Sequence, residues 1–122
     1  MTMVEKVRVA EKFALIDEYW SPKIIGEVND FFIKAVKFKG EFVWHDHETE
    51  DELFYVVKGH FTVKLRDGEI RLGPGEFAVI PKKVEHMPVA EEQVEVLLLE
   101  PKTTVNTGAA DSDLRQEVLE RI

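Results

Sequence analysis

Residues 61–80 read FTVKLRDGEIRLGPGEFAVI, and their punctuation decides the fold class. Phe61, Val63 and Leu65 alternate with Thr62 and Lys64, the period of a half-buried strand. Asp67-Gly68 then supplies residues that tolerate the positive φ of a tight hairpin, and Ile70-Arg71-Leu72 resumes the pattern. Gly73-Pro74-Gly75 stops it again before Phe77 to Ile80. Working outward, the same rhythm covers residues 31–39 before Gly40, 53–58 before Gly59, and 94–99. β-Branched and aromatic residues dominate every run. The chain is therefore read as all-β, and periodicity alone leaves sandwich and barrel both open.

The flanks read differently. Val9, Phe13, Ile16 and Trp20 fall on one helical face, which predicts a helix ending at Ser21-Pro22. Asp111 or Ser112 is placed to cap a final helix with Leu114, Val118 and Ile122 as its apolar stripe. Three segments of a single domain follow: residues 1–30, a strand and helix segment packing on the barrel; residues 31–101, the barrel core; and residues 102–122, a loop and helix. At 122 residues and 44% apolar composition the chain has material for one ordinary core.

Charge and composition exclude several classes. With 24 acidic against 16 basic residues the net charge is −8, which repels nucleic-acid phosphates and anionic membrane surfaces. Cysteine is absent, so disulfides, thiolate metal sites and cysteine nucleophiles are excluded. Residues 1–16 interleave charges with apolar residues and so carry no secretory signal core. No apolar run approaches the roughly 20 residues that cross a bilayer. The expected compartment is the cytoplasm. Neither Ser21 nor Ser112 lies in a strand-turn-helix elbow, and no phosphate-cradling glycine loop is present.

The chemistry-bearing pattern is His45-Asp46-His47. Residues two apart on a strand share a face, with Cα atoms about 6.6 Å apart, so two imidazoles can converge on one ion at about 2.0–2.1 Å. Glu52, five residues on, offers an oxygen donor, and His86, beyond Pro81, a third nitrogen. Asp46, Glu48, Glu50 and Asp51 read as a solvated acidic loop, with Glu50 or Asp51 as substitute ligands. His60 alternates with Thr62 and Lys64 and is read as outward-facing.

Written as spacings, Gly40-x4-His45-x-His47-x4-Glu52-x6-Gly59 followed by Gly75-x5-Pro81-x4-His86 resembles the two signature motifs of the cupin superfamily. Residues 40–47, Asp51-Glu52 and residues 104–108 are also similar to a group of small single-domain bacterial cupins often called mannose-6-phosphate-isomerase-like. The resemblance implies an antiparallel jelly-roll barrel of roughly six to eight strands, here with short terminal helices. It implies His45, His47, Glu52 and His86 as ligands of one divalent transition ion, Fe, Mn, Ni, Co or Zn. The corresponding activity is that of a mononuclear metalloenzyme, an isomerase or dioxygenase acting on a small oxygen-rich metabolite. The alternative is a non-catalytic barrel that binds or senses a small molecule around a structural metal. No residue outside the ligand set is assigned to catalysis.

Two departures from the family pattern stand out. Lys83 occupies a turn position that the family gives to glycine, so a positive φ there would carry strain of about 1–3 kcal/mol, and Ala90 replaces an asparagine. Lys82 and Lys83 are expected in solvent. With Glu52, Phe54 and Val56 facing inward, Leu53, Tyr55 and Val57 face outward and are apolar too. That outer face needs a cover, terminal helices or a second subunit, and a homodimer is expected with Trp44 at its interface. Phe38, Phe42, Phe77 and Met87 are read as core or pocket wall.

Overall fold

A computed structural model describes residues 4–122, so the first three residues of the segment 1–30 lie outside the described residues. One helix, α1 (Val9–Ala14), precedes seven strands: β1 (Lys23–Val28), β2 (Phe31–Glu41), β3 (Glu52–Lys58), β4 (Phe61–Leu65), β5 (Gly68–Leu72), β6 (Phe77–Ile80) and β7 (His86–Pro101). Every named pairing is antiparallel. The sheet runs β1-β2-β7-β3-β6, with β4 and β5 attached through the first part of β7. This is the expected all-β jelly roll.

β7 organises it. Its last part pairs with β2 on one side and β3 on the other, Ala35 with Leu97 and Tyr55 with Leu97, while its first part, His86 to Val89, pairs with β4. The switch falls at Glu91, Glu92 and Gln93, all exposed, where the β2 register slips between Phe38 and Gly40. The irregularity bends one long strand between two layers, the role of a bulge in closing a sheet. The expected β4–β5 hairpin forms, but its two-residue turn is Arg66-Asp67, one residue earlier than the Asp67-Gly68 read from sequence, because Gly68 pairs with Leu65 as the first residue of β5.

Alternation sorts the interior. On β3, Glu52, Phe54 and Val56 are buried and Tyr55 is exposed, as expected. Phe38, Phe54 and Phe61 meet edge to face within the barrel, centroids 5.3–6.2 Å apart. Outside the sheet a second cluster forms where Phe13 and Ile16 cover Ala35, with Val57 and Leu97 at its margin. The N-terminal segment thus covers half of the outer face. The other half stays bare: Phe31, Tyr55, Phe77, Val79 and Leu99 are all exposed. Phe77, expected in the core or pocket wall, is 61% exposed because it pairs with outward-facing Tyr55.

Both helix expectations need correction. α1 stops at Ala14, and Trp20 lies off its axis with φ +60°. The reason is local capture: the Trp20 backbone N–H donates to the Lys37 carbonyl at 2.9 Å and its indole N–H to the Lys39 carbonyl at 2.9 Å. Its ring then stacks between Phe38 and Phe42, at 4.4 and 4.8 Å. The C-terminal helix does not form. The Asn106 amide donates to the Leu114 carbonyl and accepts from the Gln116 N–H, both at 2.8 Å, and so takes up groups that a helix would pair internally. The chain ends instead against β1, where the Ile24 N–H donates to the Glu120 carbonyl and the Ile122 N–H to the Ile24 carbonyl.

Lys83 does adopt the positive φ, +69°, in a turn pinned by its N–H to the His47 carbonyl at 2.7 Å, and its side chain and that of Lys82 are exposed. Replacement by glycine removes a left-handed penalty of about 1–2 kcal/mol and adds an unfolded-state entropy cost of about 0.5–1 kcal/mol. Lys83→Gly is therefore expected to raise stability by up to about 1 kcal/mol in urea unfolding, with the fold unchanged.

Candidate metal centre

Three separate pieces of chain build the site. His45 and His47 come from the loop after β2, Glu52 opens β3 and His86 opens β7. The loop is held to β7 by a reciprocal backbone pair, the His45 N–H to the His86 carbonyl at 3.1 Å and the His86 N–H to the His45 carbonyl at 2.9 Å. All four side chains are buried, and one potential ligand atom from each lies within 4.8 Å of all the others. About 2.1 Å from a common centre, octahedral ligands sit about 3.0 Å apart when adjacent and about 4.2 Å apart when opposite, so modest closure suffices. The constellation expected from sequence is assembled.

Lone pairs, rather than donors, fill its centre. The Nδ1 atoms of His45 and His86 lie 2.9 Å from the Val43 and Val84 carbonyl oxygens, which can only accept, so each Nδ1 carries the proton. With Nδ1 so engaged, His86 turns its Nε2 toward Glu52 Oε1 at 3.2 Å, and His47 Nε2 faces the same oxygen at 3.5 Å. Neither ring nitrogen of His47 has a hydrogen-bond partner. Acceptors turned on one another in a buried space are satisfied by a cation. The donor set of three imidazoles and one carboxylate suits a transition ion.

Burial and neighbouring charge shift these groups in different directions. Burial, reinforced by the adjacent His86 imidazole, lowers the His45 pKa to about 4, leaving it neutral at physiological pH. Burial acts the same way on His47 but is outweighed by the Glu52 carboxylate 3.5 Å from its Nε2, so its pKa is raised. Glu52 would also be driven up by burial, but hydrogen bonding with Glu100, His47 and His86 holds it well below the usual carboxylate range. Glu100 goes the other way, raised by burial and by the charge of Glu52.

Beside the ligands lies a small cavity of about 20 Å³ whose walls include Trp20, Phe38, Phe42, Phe54, His45 and Glu52. Asn106 is a neutral polar group in its lining, and no lysine or arginine contributes. Phe38 and Phe42 take the expected wall positions, whereas Met87 is buried away from this lining. Trp44 is half-buried with the Arg66 guanidinium 3.8 Å over its ring. Glu50 and Asp51 do not join the site: Glu50 accepts from Thr49 and Thr103, and Asp51 from the Lys82 N–H. His60 is exposed.

Lys34 and Glu100 were not singled out by the sequence reading, and Trp20 was placed on a helix rather than at the cavity. The period-2 rule carried a signal for the first two, since Lys34 shares parity with Val36 and Phe38, and Glu100 with Leu98.

A jelly roll with three histidines and a glutamate gathered at the start of two strands defines a class, and the sequence agrees. The family model for the cupin domain matches residues 34–100, and the chain belongs to the cupin family. A crystal structure of a cupin-2 domain containing protein from Shewanella frigidimarina is 45% identical, covering 79% of this chain and 94% of that one, with a TM-score of 0.78. Among curated proteins, YdbB of Bacillus subtilis is 38% identical over 63 residues, 51% of this chain and 56% of that protein. Acireductone dioxygenase of the same organism is 32% identical over 56 residues, 42% of this chain and 32% of its own length. The matches thus span about half or less of these two curated relatives.

One glycine limits the ligand loop from behind. Gly108 has φ +58°, and a Cβ there would lie 1.9 Å from the Asp46 carbonyl oxygen, backbone that cannot yield without moving His47. Gly75, at φ +80°, has open space around it. Gly108→Ala is expected to cost about 2–3 kcal/mol and Gly75→Ala about 1 kcal/mol in chemical unfolding. Gly108→Ala alone should also weaken Zn(II) uptake in chelator competition.

Proposed function

We propose that this cupin is a mononuclear metalloenzyme, with His45, His47, Glu52 and His86 holding one divalent transition ion, and that it oxygenates a small oxygen-rich metabolite. The observation carrying the reading is the convergence of buried lone pairs on one point beside an apolar cavity. An ion held there would supply Lewis acidity toward an oxygen ligand, with dioxygen as the oxidant in this chemistry. The chain's own residues do the rest. Val43 and Val84 fix the tautomers of His45 and His86 so that Nε2 points inward. Glu52 contributes one negative charge, so a 2+ ion retains a single positive charge that favours an anionic oxygen ligand. Phe38, Phe42 and Phe54 keep bulk water from the ligand, and Asn106 offers it a neutral amide.

Two features favour oxygenation over isomerisation of a sugar phosphate. The cavity lining has no cationic side chain to hold a phosphate. The chain also shares a 56-residue match with an acireductone dioxygenase. Elemental mass spectrometry of tag-free protein, purified without added metal or chelator, should find about one transition ion per chain, lost in the His45→Ala/His47→Ala variant. Glu52→Gln should lower metal affinity about 10- to 100-fold and abolish substrate-dependent oxygen consumption by the iron-loaded protein. An empty wild type that refuses Fe(II), Mn(II), Ni(II) and Zn(II) on titration would sink the enzyme reading. Full loading without turnover of enediols, diketones or thiols would leave a non-catalytic binding barrel.

The partner proposed is a second copy of this chain. Ile33, Leu99, Leu53 and Val79 form one cross-strand row on the outer face, and Ala35, Leu97, Tyr55 and Phe77 the next. No charge interrupts either row, and β6 lies at the free end of the sheet path. Such a patch is self-complementary about a two-fold axis. Light scattering should give a dimer mass, and Val79→Glu should give a monomer with unchanged metal content.

A further inference from the structure

The four candidate ligands are sealed from solvent in this structure. His45, His47, Glu52 and His86 are 6%, 3%, 3% and 0% exposed, and the cavity beside them, about 20 Å³, has room for about one water. A small organic ligand needs a site of about 300 Å³ or more, so one wall has to move. Most walls are fixed. Val36 and Phe38 lie on β2, Phe54 on β3 and Leu98 on β7, all within paired strands. Trp20 is held by its two hydrogen bonds to β2, and the Phe42 N–H donates to the Pro88 carbonyl at 3.0 Å. Asn106 is the exception, because it belongs to residues 103–120, which form neither helix nor strand.

That segment is knit to itself and clasped at its ends. Asn106 ties the Leu114 carbonyl to the Gln116 N–H, and the Arg115 guanidinium donates to the Gly108 carbonyl at 2.8 Å, so its middle moves as one body. The backbone hydrogen bonds found between residues 103 and 119 stay within the segment or reach its root at Pro101. Both ends meet on one carboxylate: Lys102 Nζ lies 2.6 Å from Glu27, and Arg121 pairs with the same group. Over the cavity the segment rests on Leu114, packed against the core cluster that includes Trp20 and Phe38, and on the Ser21 hydroxyl, which donates to Gln116 at 3.1 Å. Closure also leaves polar atoms unpaired. The Thr104 and Thr107 hydroxyls, and His47 Nδ1 beside Gly108, are buried without a hydrogen-bond partner. Opening returns them to water, which offsets the apolar contact that is lost.

We propose that residues 103–120 are a flap, closed in this structure, that swings about its clasp at Glu27 and lifts Leu114 and Asn106 off the cavity to admit the ligand. This rests on the metal reading above and adds how its site is reached.

The chain has only two tryptophans, so in a Trp44→Phe background Trp20 alone reports access to the cavity wall. Acrylamide, a small neutral quencher, is the first probe, and release of Co(II) to excess EDTA the second. Leu114→Ala should raise the Trp20 quenching constant about threefold and speed Co(II) release about 10-fold, with Co(II) affinity within about threefold of wild type, since a gate changes uptake and release together. Gln116→Ala, which removes the Ser21 contact, should move both readings the same way by a smaller factor. Val63→Ala, a core truncation outside the cavity lining, should lower the urea midpoint without either change. Unaltered quenching and release in Leu114→Ala, or equal acceleration in Val63→Ala, would overturn the flap. Gln116→Ala decides in its place if Leu114→Ala does not fold. A wild type that takes up no Co(II) fails the metal reading, and the quenching of Trp20 still decides the flap.

Discussion

The reciprocal backbone pair between His45 and His86 is the constraint on which the site depends. It joins a loop after β2 to the first residue of β7, residues 41 positions apart in sequence, and sets two imidazoles side by side with ring centroids 4.3 Å apart. Each histidine then turns its Nδ1–H back onto a carbonyl two residues earlier, Val43 or Val84, so both rings are aimed by backbone. Lys83 continues the same seam by donating to His47. A site aimed by backbone is held more firmly than one resting on side-chain rotamers, and it tolerates wide variation in the cavity walls.

β7 is the physical means by which distant residues share that site. Its first residue is a candidate ligand, and Glu100, near its end, is buried in an ion pair with Lys34. Its bend allows one strand to serve two layers, with an aromatic interior between them. The outer side of the same sheet is divided between α1, which covers Ala35 and Leu97, and a bare apolar half that ends at Phe77. Fold and site therefore draw on the same ladder. A lesion in β7 is transmitted both to the core and to the ligand geometry.

Much of this was legible before any coordinates. The runs between turn signals anticipated β3 to β6 within a residue or two, because alternation and glycine placement are local properties. The inward parity of Glu52, Phe54 and Val56 was legible for the same reason. The length of β7 was not, since residues 86–93 include Pro88 and three exposed polar residues that hide a strand from pattern reading. Nor was Trp20. It satisfies a helical spacing with Val9, Phe13 and Ile16, yet two hydrogen bonds to the β2 backbone carry it away. Asn106 likewise dissolved a plausible C-terminal helix from a position outside it.

By itself the sequence determined the all-β class, the turn positions and the identity of four metal-capable side chains, because these follow from residue type and short spacing. The tertiary structure alone decided that the four converge, which tautomers His45 and His86 hold, and that Lys34 and Glu100 pair in the interior. Those outcomes depend on register between strands far apart in the chain. A register is set by the packing of whole faces and by backbone pairing, and no local window of residues contains that information.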